Sequence, residues 1–329
     1  MKKVAVIGGG SWATALVKIL SNNVDEINWW VRNEETVEFI KRYHHNPNYL
    51  SDVEFNLDIV KPSADLNAVV ASADYIVIAI PAAFLKRSIE KLSTDKLKDK
   101  IIFSAIKGIV PEYNLIVGDY LHAQLAVPYA NIGVITGPCH AEEVALEKLS
   151  YLTIASTHLQ HANHLASILS CRYIRTKTSD DIFGTEYSAV LKNVMAIASG
   201  ICHGLGYGDN FQSVLISSGI REISRFLQAV HPIQRDINDS AYLGDLLVTC
   251  YSQFSRNRTF GSMLGKGYSV KSAQLEMNMI AEGFYAIACI HEINKKYKVE
   301  MPISDAVFNI CYEKIAPRIE MKLLTERLD

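Results

Sequence analysis

At 329 residues the chain exceeds the roughly 250–300 residues at which a single hydrophobic core stops growing, so two domains are expected. With 49% hydrophobic and 21% charged residues, the composition excludes collagenous, low-complexity and disordered classes. The formal net charge is −2, from 33 basic and 35 acidic side chains, so no overall basic field draws in nucleic acid or an anionic membrane. An anionic small substrate would have to be held by a local cluster of charges.

The cysteines are Cys139, Cys171, Cys202, Cys250, Cys289 and Cys311. None forms a C-x-x-C pair, and their scatter suits reduced thiols better than a disulfide framework. The apolar run at the N-terminus leads into a glycine loop rather than a cleavage site. No segment reaches the ~18–20 uninterrupted apolar residues that span a bilayer. The expectation is a cytoplasmic protein with no membrane span.

Lys3 to Ile7 is a short β-branched run without polar alternation, as in a strand buried on both faces. A glycine loop follows, then helix-period apolar residues from Ser11 to Leu20. Further strands are predicted at Ile27–Val31, Tyr75–Ile80, Ile101–Ala105 and Asn131–Ile135, with helices at Ala82–Leu92 and Glu142–Leu149. Strands alternating with helices over roughly 170 residues predict an α/β fold with a doubly wound parallel sheet. Beyond Ser179 helical periodicity takes over, at Tyr187–Ser199, Phe211–Val230, Ala241–Tyr251, Met277–Lys295 and Ile303–Ile315. The expected organisation is a doubly wound α/β domain over 1–180 and a mostly helical domain over 181–329.

The segment VAVIGGGSWATAL sets Gly8, Gly10 and Ala13 in a G-x-G-x-x-A arrangement between a strand and a helix. Gly8 permits the tight turn, Gly10 leaves room for a pyrophosphate, and Ala13 allows close helix–sheet packing. The following helix aims its N–H groups and positive dipole end at the phosphates. The alternatives are a glycine turn without ligand, or a flavin site. Trp29-Trp30-Val31-Arg32 has no acidic residue to grip a ribose 2′-hydroxyl, and Arg32 stands there instead. An arginine can pair with a 2′-phosphate, which favours NADPH over NADH, unless Arg32 is a solvated surface charge.

Reducing a ketone leaves a developing alkoxide, which needs an acid and positive charge. Lys192 lies in the helical, apolar stretch LKNVMAIASG, where desolvation would lower its pKa towards neutrality; the alternative is a snorkelling surface lysine. Lys107, in SAIKG, follows a strand at the carboxyl end of the sheet, where ligands of doubly wound folds bind. Asp245, in GDLLVTC, would orient a lysine ammonium and substrate hydroxyls, or serve merely as a first-turn acid or N-cap. Ser255-Arg256-Asn257-Arg258 is the best phosphate-binding candidate, because the guanidinium fork matches phosphate oxygens; the alternative is a polar loop between helices with solvated arginines. Glu282, in AEGF, either binds cofactor hydroxyls or caps a helix.

Two apparent motifs carry less. Gly261–Gly267 (GSMLGKG) has the wrong spacing for a phosphate loop, with no Ser or Thr after Lys266. His158, His161 and His164 lack companion ligands and read as a polar helix face, so no metal is expected.

GGGSWATAL, SAIKGI, TGPCHAEEVA, LKNVMAIASG, GDLLVTC, SRNRTFG and AEGF occur in this order, and with them the chain resembles the bacterial NAD(P)-dependent glycerol-3-phosphate dehydrogenases. The resemblance runs from about residue 3 to about residue 315. It implies an NAD(P)-binding Rossmann domain over 1–180, an all-helical substrate-binding and catalytic domain over 181–329, and reversible reduction of dihydroxyacetone phosphate to sn-glycerol 3-phosphate with NADP(H) or NAD(H), feeding phospholipid synthesis. Carried over by position, it implies cofactor contacts at Gly8, Gly10, Ser11, Trp12, Arg32, Lys107, Ala141, Arg256, Ile280 and Glu282. Substrate contacts are implied at Lys107, Gly137, Cys139, Lys192, Asp245, Ser255, Arg256 and Asn257, with Lys192 as proton acceptor. Two positions depart from the family: Ala13 replaces a glycine, and Cys139 replaces a serine. A thiol is a poorer donor than a hydroxyl, so a side-chain contact at Cys139 would be weakened and a backbone contact unchanged. The runner-up is a related two-domain dehydrogenase acting on a β-hydroxy acid or sugar acid. The expected partner is a small-molecule substrate, with no nucleic acid, and with a homodimer open as an assembly.

Overall fold

The computed structural model describes residues 3–90, 92, 94–277 and 281–328. Two compact units emerge, one formed by residues up to Ile106 with Val117–Ile182, the other by Lys107–Ile116 with Phe183 onward. Ten strands are described: β1 (Val4–Ile7), β2 (Ile27–Trp30), β3 (Val60–Ser63), β4 (Tyr75–Ile78), β5 (Ile101–Ser104), β6 (Ile109–Val110), β7 (Leu115–Ile116), β8 (Ile132–Thr136), β9 (Ser150–Ser156) and β10 (Ile174–Ser179).

The first unit is built on an eight-stranded sheet of order β10-β9-β8-β5-β4-β1-β2-β3. Its central part, β3-β2-β1-β4-β5-β8, is parallel throughout and has the strand order of a dinucleotide-binding fold. β1, β4, β5 and β8 are buried along their whole length, because helices cover both faces of a parallel sheet. The five strands anticipated from the sequence are all present. The sheet nevertheless continues past them and is not wholly parallel: β9 runs antiparallel to β8, and β10 is parallel to β9. β3 (VKPS) evades apolar patterning because it lies at the sheet edge, where Pro62 loses no ladder hydrogen bond. The expected helix Glu142–Leu149 is only Ala141–Ala145, and Glu147 (φ 55°) turns the chain towards β9.

Among the described residues, the regular structure of the second unit is helical apart from a two-stranded antiparallel ribbon, β6–β7. Its central helix, Ile182–Leu205, is the one described helix long and apolar enough to cross a membrane by composition. That apolar window is 83% buried, so its composition is explained by the core. Gly200 and Gly204 of this helix face Gly261 and Gly265 of the helix Arg256–Gly265. A Cβ at Gly200 would lie 2.0 Å from the Arg258 carbonyl oxygen, and one at Gly204 2.3 Å from that of Ser262. The two backbones are therefore in direct contact. Gly261 and Gly265 of GSMLGKG serve this helix crossing, and they bring the start of Arg256–Gly265 against the helix that bears Lys192. Glu222 ties a third helix to the unit: its carboxylate accepts from the Ile303 and Ser304 N–H groups and the Ser304 hydroxyl, capping Pro302–Cys311.

Candidate active site

In the first unit the candidate residues gather where the parallel strands end. Gly8–Gly10 follow β1, Arg32 follows β2, and Gly137 follows β8, and parallel pairing puts these carboxyl ends on one edge. Gly8 has φ +140°, and a Cβ there would lie 2.3 Å from the Ala79 carbonyl oxygen. Nothing lies within 4 Å of the position a Cβ would take at Gly10. Helix Ser11–Leu20 starts directly after it without a side-chain cap, so its first N–H groups are directed at whatever lies beyond the loop. The Trp12 indole N–H is buried and has no hydrogen-bond partner among the described residues. A loop open at Gly10, a helix N-terminus and an orphaned indole donor all fit a bound dinucleotide diphosphate.

Arg32 is exposed, immediately before Asn33, whose side chain caps the helix Glu34–Tyr43 by accepting from Glu35 N–H. Gly137 has φ +113°, required by the approach of β9, since a Cβ would lie 2.7 Å from the Tyr151 carbonyl oxygen. Cys139 is buried and forms no disulfide, and Ala141 opens a short helix beside Ser11–Leu20.

The second unit holds a buried charge network. Lys192 is only 4% exposed, and its ammonium donates to Asp245 Oδ1 at 2.5 Å and to Thr249 Oγ1 at 2.8 Å. The other oxygen of Asp245 faces Lys107 Nζ at 3.1 Å. Lys107 is itself positioned by its backbone, because Asn193 Nδ2 donates to its carbonyl at 2.8 Å. The Thr249 hydroxyl donates back to the Asp245 carbonyl at 2.6 Å, which leaves its lone pairs for Lys192. An ammonium has three donors, of which Asp245 and Thr249 engage two.

Burial pushes Lys192 down to about 7, and the neighbouring Lys107 charge pushes the same way against the pull of Asp245. Burial alone would raise Asp245, but Lys107 and Lys192 outweigh it and hold the carboxyl below its ordinary value. Lys192 is thus poised to exchange a proton near neutrality, while Asp245 stays an anion.

Asp245 is not an N-cap. Gly244 holds that position, and the Asp245 side chain turns to the lysines. The helix expected over Ala241–Tyr251 is two pieces, a π-helical turn Ser240–Gly244 and an α-helix from Asp245. Such turns are common at functional sites because they re-aim the residues that follow.

Ser255 caps Arg256–Gly265, its hydroxyl oxygen accepting from Arg258 N–H. Asn257 Oδ1 accepts from Gly283 N–H at 2.9 Å, which fixes the amide and leaves its NH2 as the donating end. Arg256, half-buried, is the first residue of that helix, and Glu282 opens the helix Glu282–Tyr297. Ile280 lies outside the described residues.

The structure therefore joins Lys107, Lys192 and Asp245 directly and adds Thr249, which sequence reading passed over. A signal existed, since Asp245 and Thr249 are four residues apart and share one helix face. Among the histidines, His161 Nδ1 faces the Tyr75 hydroxyl at 3.2 Å, and His158 and His161 stack.

The family model for the N-terminus of NAD-dependent glycerol-3-phosphate dehydrogenase matches residues 3–162, and that for its C-terminus residues 181–322. The glycerol-3-phosphate dehydrogenase (NAD(P)+) of Oceanobacillus iheyensis is 35% identical over 327 residues, covering 99% of this chain and 94% of that one. That of Bacillus subtilis is 33% identical over 323 residues, covering 97% and 93%. The crystal structure of glycerol-3-phosphate dehydrogenase from Coxiella burnetii superposes with a TM-score of 0.91 at 30% identity, over 99% of both chains.

Proposed function

The chain belongs to the NAD-dependent glycerol-3-phosphate dehydrogenase family, and from that premise we propose how its residues divide the reaction. The enzyme is an NAD(P)-dependent oxidoreductase that interconverts dihydroxyacetone phosphate and sn-glycerol 3-phosphate. When bound, the nicotinamide supplies the hydride to the carbonyl carbon or takes it from the carbinol carbon. Lys192 is the proton donor in reduction and the acceptor in oxidation, and the Lys192–Asp245–Lys107 network carries this reading.

With Lys192 protonated the network has a net charge of +1, which stabilises a developing alkoxide. Transfer of that proton to the oxygen returns the network to neutrality, so no uncompensated charge is left buried. Thr249 and Asp245 hold the ammonium so that its third N–H addresses the substrate oxygen. Arg256, Ser255 and the Asn257 amide bind the phosphate, and Gly137 and Cys139 line the substrate. In the first unit Gly8, Gly10, Ser11, Trp12 and Ala141 receive the cofactor, joined by Lys107, Arg256, Ile280 and Glu282 of the remaining chain. Arg32 pairs with a 2′-phosphate, so NADPH is preferred. The product is a phospholipid precursor, and the site of action is the cytoplasm.

Family membership favours the triose phosphate over β-hydroxy-acid or sugar-acid substrates. The test is NADPH oxidation with dihydroxyacetone phosphate set against 2-keto and 3-keto acids, for wild type and Lys192→Ala. Wild type should turn over the triose phosphate alone. The variant should lose roughly 10²–10⁴-fold in turnover, the range for a general acid, while binding NADPH normally. Absence of triose phosphate turnover in wild type would overturn the reading.

A further inference from the structure

The carbonyls of the glycine loop are each held from behind by a side chain. Gly8 O accepts from the Trp29 indole N–H at 2.7 Å, and Gly9 O accepts from Asn46 Nδ2 at 3.1 Å. Gly10 O accepts from the Thr14 hydroxyl at 3.0 Å and from Thr14 N–H at 2.9 Å. Asn46 also donates to Thr14 Oγ1 at 2.9 Å, so one relay runs from Asn46 through Thr14 to Gly10.

Asn46 is fully buried, and its amide is engaged at both ends, with Oδ1 accepting from Asn48 N–H at 3.0 Å. That pattern fixes which end is which. Rotating the amide would set its oxygen against the Gly9 carbonyl, and an aspartate would do the same with a charge. Asn46 reaches the loop because the helix Glu34–Tyr43 ends at His44 in a left-handed conformation (φ 64°), which turns the chain back.

No peptide bond in the described chain is cis, so each carbonyl and the next N–H point in opposite directions. With Gly9 O pinned on Asn46, the Gly10 N–H faces away from Asn46, towards the open side of the loop. With Gly10 O pinned on Thr14, the Ser11 N–H points outward from the helix start. These are the donors a diphosphate at this loop would meet.

We propose that Asn46, through its relay with Thr14, is a positioning residue of the dinucleotide site that sets the Gly9–Gly10 peptide for the diphosphate. Its effect falls on diphosphate recognition and not on the chemical step. The inference rests on the reading that the Gly8–Ser11 segment holds the cofactor diphosphate.

The experiment compares ADP-ribose, which carries the diphosphate bridge, with AMP, which lacks it, by titration calorimetry on the full chain. In Asn46→Ala the ADP-ribose Kd should rise roughly tenfold, the scale of losing a buried hydrogen bond, with the AMP Kd within about twofold. The KM for NADPH should rise in step while kcat at saturating NADPH stays within about twofold. Thr14→Val, isosteric and within a helix, removes the other half of the relay and must show the same selective loss; it decides the matter if Asn46→Ala does not fold. Unchanged ADP-ribose affinity, or equal loss for ADP-ribose and AMP, overturns the role of Asn46. Failure of wild type to bind ADP-ribose overturns the underlying reading of the loop as well.

Discussion

Replacing Asp245 by asparagine isolates what the carboxylate does for Lys192. The substitution keeps the shape and one acceptor oxygen but removes the charge that faces both lysines. A unit pair about 4 Å apart at an effective dielectric near 20 interacts by ~4 kcal/mol. Asparagine's dipole retains part of this, and a net loss of ~2.7 kcal/mol is about 2 pKa units. The sign is downward, because removing an anion disfavours the ammonium. Lys192 should fall from about 7 to roughly 5, so its protonated fraction at pH 7 drops from about a half to about one hundredth. Reduction of dihydroxyacetone phosphate at pH 7 should therefore slow about 50-fold, and the midpoint of its alkaline limb should move acidward by about 2 units. The assay is loss of nicotinamide absorbance across roughly pH 5–9, with NADPH affinity as the folding control. The observed midpoint belongs to the coupled network, so it is the displacement that counts. A midpoint that stays near 7 or rises, with activity lost equally at every pH, would refute the reasoning.

Thr249→Val removes an acceptor of Lys192, so the same midpoint should move acidward by less than about one unit and kcat fall roughly tenfold. An unmoved midpoint would show that Thr249 is only a packing residue. Arg32→Ala should raise the KM for NADPH by about tenfold or more while NADH changes by less than about twofold. Equal changes would make Arg32 a solvated surface charge. Burial pushes Glu222 up to about 7 from 4.5, against the hydrogen bonds from Ser304 and the Ile303 and Ser304 N–H groups. Because the folded value lies above the unfolded one, its stabilisation is complete below about pH 4.5 and is lost as pH rises towards 7. Glu222→Gln should flatten Tm against pH across that window, and an unchanged slope would contradict the assignment.

Much of the site was legible because its chemistry sits in short motifs. The glycine loop combines a buried strand, a turn and a helix start within VAVIGGGSWATAL, and local sterics alone assign each step. Lys192 was visible as a charge in apolar company. The antiparallel β9 was not visible, because strand direction follows from pairing and not from the strand's own residues. GSMLGKG was rightly set aside as a phosphate loop, but its actual role was not visible. Gly261 and Gly265 lie in a helix whose backbone touches that of its neighbour, a contact that only the packing of two distant segments defines.

Taken alone, the amino-acid sequence determined the α/β order and the dinucleotide loop, and it nominated the residues proposed to move a proton and hold a phosphate. These follow from periodicity and local conformational preference, which act over a few residues. Tertiary structure decided which lysine the aspartate serves, since Asp245 lies 53 residues from Lys192 and 138 from Lys107 and binds both. It also decided that Lys192 titrates near 7, because desolvation depends on everything packed around the ammonium. The glycine loop shows the same division. Its turn is encoded locally, but the direction of its N–H groups depends on Asn46, 37 residues beyond Gly9 and brought back by the fold.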